Sequence, residues 1–308
     1  MSSYLILLFH VVCYALMGFV TASKPLSILL MQTLPSISHH IWTENLVKGL
    51  LREGHHVHVV STIEIKIEGK LVQNLTNAIF ENAMTFEDAN YGPDQWEKLM
   101  EFYMAHVTYQ FAISYCDILI KTNAAKQLLE MIKTIKFDVI VADISLHQCF
   151  YGLWEVAKDQ PPVVAVLPLG NIPLIKNFIG VSSYSTVRPY TSATFAKPVG
   201  LWLRTWNTLY YIVDDLIRYY YFLPTVQRLA EEYVGHTIRP LYEIEKDKVN
   251  IILVLLVNSH PAFESAIPLP PNVLEVGGLH AQIVQPIAGD VIVTYSEVRE
   301  IVFFLFDK

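Results

Sequence analysis

The sequence predicts an α/β fold built on a parallel sheet. Two observations carry that expectation. Short, continuous apolar runs recur at residues 25–31, 55–61, 137–143, 162–167 and 251–257. Such runs mark strands buried on both faces, which is the condition of a parallel sheet. Between them lie longer segments whose apolar residues recur at helical spacing, giving the alternation of strand and helix that βαβ units require.

The chain has 308 residues, enough for one large or two modest domains. Hydrophobic residues make up 53% and charged residues 17%, so a disordered chain is excluded. The net charge of −7, with no basic stripe, speaks against a nucleic-acid partner.

Residues 1–22 read as a signal peptide. Residues 4–20 are almost wholly apolar, and Val20, Thr21 and Ala22 give a small-residue cleavage pattern ending near Ser23. The apolar stretch is short for a membrane span. The expected location is therefore the endoplasmic reticulum lumen, membrane-associated and reached by the secretory pathway. Asn74-Leu75-Thr76 is then a candidate glycosylation sequon. Cys13 leaves with the signal. Cys116 and Cys149 lie in apolar surroundings and are read as buried thiols.

In order along the chain, 25–31 is the first strand and 32–38 a polar loop containing Pro35. Ser38 is placed as the cap of a helix over 39–53. Ile41, Trp42, Leu46, Val47, Leu50 and Leu51 form its apolar stripe, and Gly54 ends it as a C′ glycine. Residues 55–61 are the second strand. Residues 86–135 carry helical patterns, the last a helix over 123–134, and 137–143 is a strand ending in Asp143. A helix over 148–158 and a strand over 162–167 follow. Residues 170–200, rich in Ser, Thr, Pro and Gly, read as a long functional loop. An aromatic helical region follows, with Trp202, Trp206, Tyr210, Tyr211 and Phe222, and Tyr219, Tyr220 and Tyr221 are placed at core or interface. After the strand at 251–257, residues 268–271 and Gly277-Gly278 mark an exit from the domain.

Ligands of parallel sheets bind beyond the carboxyl ends of the strands. That rule selects His39 and His40, just past the first strand, and Asp143, at the end of another. A neutral imidazole can take a proton from an alcohol, and a carboxylate on its other nitrogen fixes the tautomer and stabilises the imidazolium that forms. The bland reading is a helix-start histidine and a strand-end carboxylate with no common task. His55, His56 and His58 have no carboxylate or cysteine at ligand spacing, so no metal site is expected. The chain has no GxGxxG after a strand, no GxxxxGK[ST] and no GxSxG, so dinucleotide, P-loop and α/β-hydrolase chemistry lack their signals.

Several stretches resemble a known family. Pro35-Ser36-Ile37-Ser38-His39, then Leu51-Arg52-Glu53-Gly54-His55, is similar to the opening of UDP-glucuronosyltransferases and insect UDP-glycosyltransferases. Residues 137–143, Phe222-Leu223-Pro224, Val257-Asn258-Ser259-His260 and residues 270–278 also match, and the resemblance covers about 25–282. It implies a Rossmann-like parallel sheet, the N-terminal, acceptor-binding domain of a GT-B fold, over residues 23–282. It implies an inverting hexosyl transfer from a UDP-sugar to a small lipophilic hydroxyl acceptor. His39 would be the base and Asp143 its partner, with His40 and Ser38 lining the acceptor site. No metal or other cofactor is implied; the UDP-sugar is a co-substrate.

Residues 283–308 depart from the pattern where the donor-binding domain should begin, so the expectation is of a truncated enzyme. The alternative is an inactive acceptor-binding module that pairs with itself or with family members.

Overall fold

A computed structural model describes residues 24–80, 101–169, 184–191, 197–247, 252–262 and 267–281, with positions 83, 176, 193 and 195. The segment read as a signal, the tail over 283–308, residues 86–100 and much of the 170–200 loop lie outside the described residues.

Among the described residues seven parallel strands form one sheet: β1 (Ser27–Gln32), β2 (His56–Ser61), β3 (Leu75–Ile79), β4 (Val139–Asp143), β5 (Val163–Leu167), β6 (Ile252–Val257) and β7 (Val273–Glu275). Their order is β3-β2-β1-β4-β5-β6-β7. The order reverses direction at β1, so β1 and β4 are neighbours, with Met31 paired to Ala142. Alternate side chains feed two cores, as strand pleating demands. Leu29, Met31, Val60, Ile140 and Ala142 face one layer of helices, while Ile28, Leu30, Val57, Val59 and Val141 face the other. The expected α/β, Rossmann-like parallel sheet is the sheet observed.

Among the described residues the helices are α1 (Ile37–Arg52), α2 (Glu101–Leu119), α3 (Asn123–Thr134), α4 (Gly152–Val156), α5 (Gly200–Ile217), α6 (Leu223–Val234) and α7 (Leu241–Lys246). Trp42, Val47 and Leu51 bury the inner stripe of α1. Gly54 takes the left-handed conformation (φ 85°) just past its end, and the amides of Gly54 and His55 return to Leu51 and Leu50. The cap differs from expectation. Ser36, extended at φ −125° and ψ 125°, precedes the first helical residue, and Ser38 lies exposed in the first turn, its Oγ 3.0 Å from that of Ser36. The helix starts as soon as the chain has passed Pro35, two residues earlier than the first apolar stripe residue suggests. α3 has the expected bounds, with Thr122 Oγ1 accepting from the Ala125 amide at 3.1 Å.

Two further points differ from expectation. The helix expected over 148–158 is broken into a 3₁₀ turn, Gln148–Phe150, and the short α4. Gly152 lies where a Cβ would come 2.8 Å from Ile238, so this turn is packed tightly on the segment after α6. The strands β3 and β7 were not foreseen. Both are outermost: β3 carries Thr76 and Asn77, and β7 has only three residues. Gly277, just past β7, has no room for a side chain: a Cβ would stand 2.6 Å from the Ser259 carbonyl.

Finally, Tyr219, Tyr220 and Tyr221 are 51%, 73% and 39% exposed and so are not core residues. A π-helical turn at Arg218–Phe222 joins α5 to α6. Its wider turn brings Arg218 and Phe222 inward and leaves the three tyrosines outside. Arg218 pairs with the buried Glu245 of α7.

Candidate active site

The sheet brings two sequence-distant segments together. β1 delivers the chain into a tight turn after Gln32. There the Leu34 carbonyl accepts from the Ser36 amide, the Gln32 side-chain amide and Thr62 Oγ1. α1 starts at once, so His39 in its first turn faces back over the ends of the strands. β4, the next strand, ends at Asp143. His39 Nδ1 lies 2.6 Å from Asp143 Oδ2, and each residue is 1% exposed. Asp143 Oδ1 accepts from the Ser145 amide at 2.9 Å. Both carboxylate oxygens are thus occupied.

The pairing fixes the tautomer by elimination. A carboxylate only accepts hydrogen bonds, so Nδ1 carries the proton. In a neutral ring the lone pair is then on Nε2. In that form the ring could accept a proton at Nε2.

The other residues selected from sequence are distributed around this pair. His40 is buried on α1 beside Glu44, with Nε2 3.5 Å from the Glu44 carboxylate. Burial lowers its pKa, an effect opposed by Glu44. Ser38 is exposed one residue before His39. Asn74 ends a 3₁₀ turn at the outer edge of the sheet, half-buried, with Thr76 exposed on β3. His55 Nδ1 accepts from the Leu26 amide, and His58 packs edge-on against Phe137. Among the described residues no three His, Cys, Asp or Glu side chains gather as metal ligands would.

The cysteines are a correction. Cys116 of α2 and Cys149 form a disulfide, with Cα atoms 6.0 Å apart. Apolar surroundings do not separate a thiol from a disulfide. What decides is that α2 crosses the turn after β4, and the sequence does not display that crossing. Sequence reasoning also missed Thr33 and His147, whose side chains meet at 2.7 Å directly beside the pair. The available signal was a histidine four residues beyond a strand-end carboxylate.

The described part of the long loop is pinned to α5. Asn207, fully buried, accepts from the Tyr190 amide at 2.8 Å and donates to the carbonyls of Ser185 and Arg188. Asp214 accepts from the hydroxyls of Tyr109 and Tyr190, and burial raises its pKa. Of the aromatic residues expected to shape a pocket, Tyr210, Tyr211 and Phe222 are buried, whereas Trp202 points to solvent. A separate cleft of about 350 Å³ lies between the π-turn and α7, and neither His39 nor Asp143 lines it.

A profile described as UDP-glucoronosyl and UDP-glucosyl transferase matches residues 28–306, running past Gln282, where the sequence motifs end. The chain is 23% identical over 271 residues to UDP-glucosyltransferase 2 of Dactylopius coccus, covering 87% of this chain and 50% of that protein. It is 24% identical over 282 residues to UDP-glycosyltransferase UGT4 of the same organism, covering 89% and 53%. The chain spans about half the length of these relatives. Among solved structures it is similar to the glycosyltransferase SnogD from Streptomyces nogalater, at 17% identity and a TM-score of 0.42, over 81% of this chain and 51% of that one. The profile spans most of the sequence, and on that match the chain belongs to the UDP-glucoronosyl and UDP-glucosyl transferase family.

Proposed function

We propose that this chain supplies the acceptor side of an inverting glycosyl transfer, in which a hexosyl group passes from a UDP-sugar to a small lipophilic alcohol or phenol. The observation that carries the reading is the buried His39–Asp143 contact of 2.6 Å at the carboxyl ends of adjacent strands.

Nε2 of His39 takes the acceptor's hydroxyl proton. The oxygen attacks the anomeric carbon from the face opposite the leaving group. The bond from that carbon to the UDP oxygen breaks, its electron pair leaves with UDP, and the configuration inverts. Asp143 stabilises the imidazolium while the proton is held. His40 and Ser38, on either side of His39, bound the acceptor site. Donor binding falls to a second half, such as the remaining length of the relatives. No step uses a metal.

The proposal places the protein in the endoplasmic reticulum lumen, at the membrane. The apolar segment at 4–20, the sequon at the sheet edge and the Cys116–Cys149 disulfide support an oxidising, secretory compartment. Among the described residues no helix is long and apolar enough to cross a membrane.

The test is His39→Ala in the chain joined to a donor-binding half. Turnover falls by about 10² or more, with the acceptor Kd unchanged. Wild-type turnover in that variant overturns the assignment.

A further inference from the structure

Two segments hold the His39–Asp143 pair: the turn after β1 and the loop after β4. A second side-chain link joins the same two segments. Thr33 Oγ1 lies 2.7 Å from His147 Nδ1, with both residues buried. Thr33 is also held from its other side, since its carbonyl accepts from the Tyr115 hydroxyl at 2.6 Å. Tyr115 is next to Cys116, and the disulfide partner Cys149 is two residues after His147. Three cross-links therefore close a triangle between the turn, α2 and the loop.

We propose that Thr33 and His147 are positioning residues, whose hydrogen bond fixes the turn bearing His39 against the loop bearing Asp143. The catalytic meaning of this inference rests on the reading of His39 as the base.

The turn has little slack between Thr33 and His39. The Leu34 carbonyl is taken by three donors, and the His40 amide donates to the Ser36 carbonyl at 3.0 Å. A shift at Thr33 therefore reaches the first turn of α1. The loop is equally short. From Asp143 the Ser145 amide returns to its carboxylate, Leu146 adopts the left-handed conformation (φ 54°), and His147 follows. A non-glycine residue in that region persists only where its surroundings enforce it, at a cost of about 1 kcal/mol. His147 is one of those restraints, bonded to Thr33 and stacked on Trp154 at 6.4 Å.

Packing alone does not ask for a histidine here. Its Nε2 is buried without a hydrogen-bond partner among the described residues, a cost that a phenylalanine filling the same space would avoid. The bond from Nδ1 to Thr33 is what only the imidazole supplies. The ring is also neutral at physiological pH, because burial lowers its pKa to about 4 against the pull of Asp143. It therefore presents no cation to the Asp143 carboxyl group.

The experiment reads the His39 ring directly, by ¹⁵N NMR of the histidine-labelled chain. In the wild type His39 shows one tautomer, protonated at Nδ1. Thr33→Val, which keeps the shape and removes the hydroxyl, mixes the tautomers, and Thr33→Ser restores the single form. With a donor-binding half attached, Thr33→Val lowers turnover about tenfold while the acceptor Kd is retained. A Thr33→Val protein with an intact amide spectrum and the wild-type His39 ring signals overturns the proposal. If Thr33→Val loses its folded amide spectrum, His147→Phe tests the same bond from its other end, with the same two outcomes. The ring signals do not depend on turnover. Wild-type activity in His39→Ala would therefore remove the base reading without touching the tautomer result.

Discussion

At the scale of single residues, the site is a problem in placing one proton. Asp143 accepts from His39 and from the Ser145 amide, so each of its carboxyl oxygens has a donor. His147, four residues on, is held neutral by burial. That neutrality has a measurable consequence for stability. In the unfolded chain the ring titrates near 6.5, and in the folded protein near 4. Between these values the unfolded chain binds more protons, so stability falls as pH drops through the window and is unaffected above it. Across the window the loss from this ring is about 3 kcal/mol. Urea unfolding between pH 7 and 4 should show the wild type losing that much more than His147→Gln. Parallel losses in the two proteins would contradict the buried neutral ring. The comparison between variants removes the contribution of the other titrating groups.

At the scale of elements, the turn after β4 is tied to α2 by the disulfide and to α6 by packing. Phe150 meets Tyr233 at 5.4 Å between ring centroids, and the Tyr233 hydroxyl donates to the Ala125 carbonyl. The disulfide closes a loop of 33 residues, for which about 2–4 kcal/mol of stabilisation is the normal range. Cys116→Ala/Cys149→Ala should lower unfolding stability by that amount in urea titrations. An unchanged midpoint would mean that the packing of α2 and α6 alone holds the turn.

The elements also show what a sequence can display. β1, β2, β4 and β5 lie inside the sheet and are largely buried on both faces, and their continuous apolar runs, like that of β6, announce them. β3 and β7 are outermost, so Thr76 and Asn77 in one and the brevity of the other hide them. His39 and Asp143 were legible because strand ends are where parallel sheets gather ligands. Thr33 and His147 meet across 114 residues, through a turn and a loop that have no periodicity to read. The π-turn was equally hidden. It depends on hydrogen-bond register, and a run of tyrosines reads as buried until the wider turn rotates them outward.

At the scale of the whole molecule, the order reversal at β1 explains why the site lies where it does. The sheet's two halves diverge from β1 and β4, and the crevice beyond their carboxyl ends receives one polar group from each. Helices cover both faces of the sheet, and the segment at 184–190 is pinned to α5 through Asn207. The family match runs over residues 28–306, and the chain spans about half the length of the curated relatives it matches.

The central claim is that His39 and Asp143 act as one unit. It is tested most directly by single-turnover rates of four proteins, each joined to the same donor-binding half: wild type, His39→Ala, Asp143→Ala and the double variant. The account predicts losses of about 10² or more in His39→Ala, and a double variant no slower than His39→Ala itself. Wild-type rates in either single variant, or losses that multiply in the double variant, would contradict it.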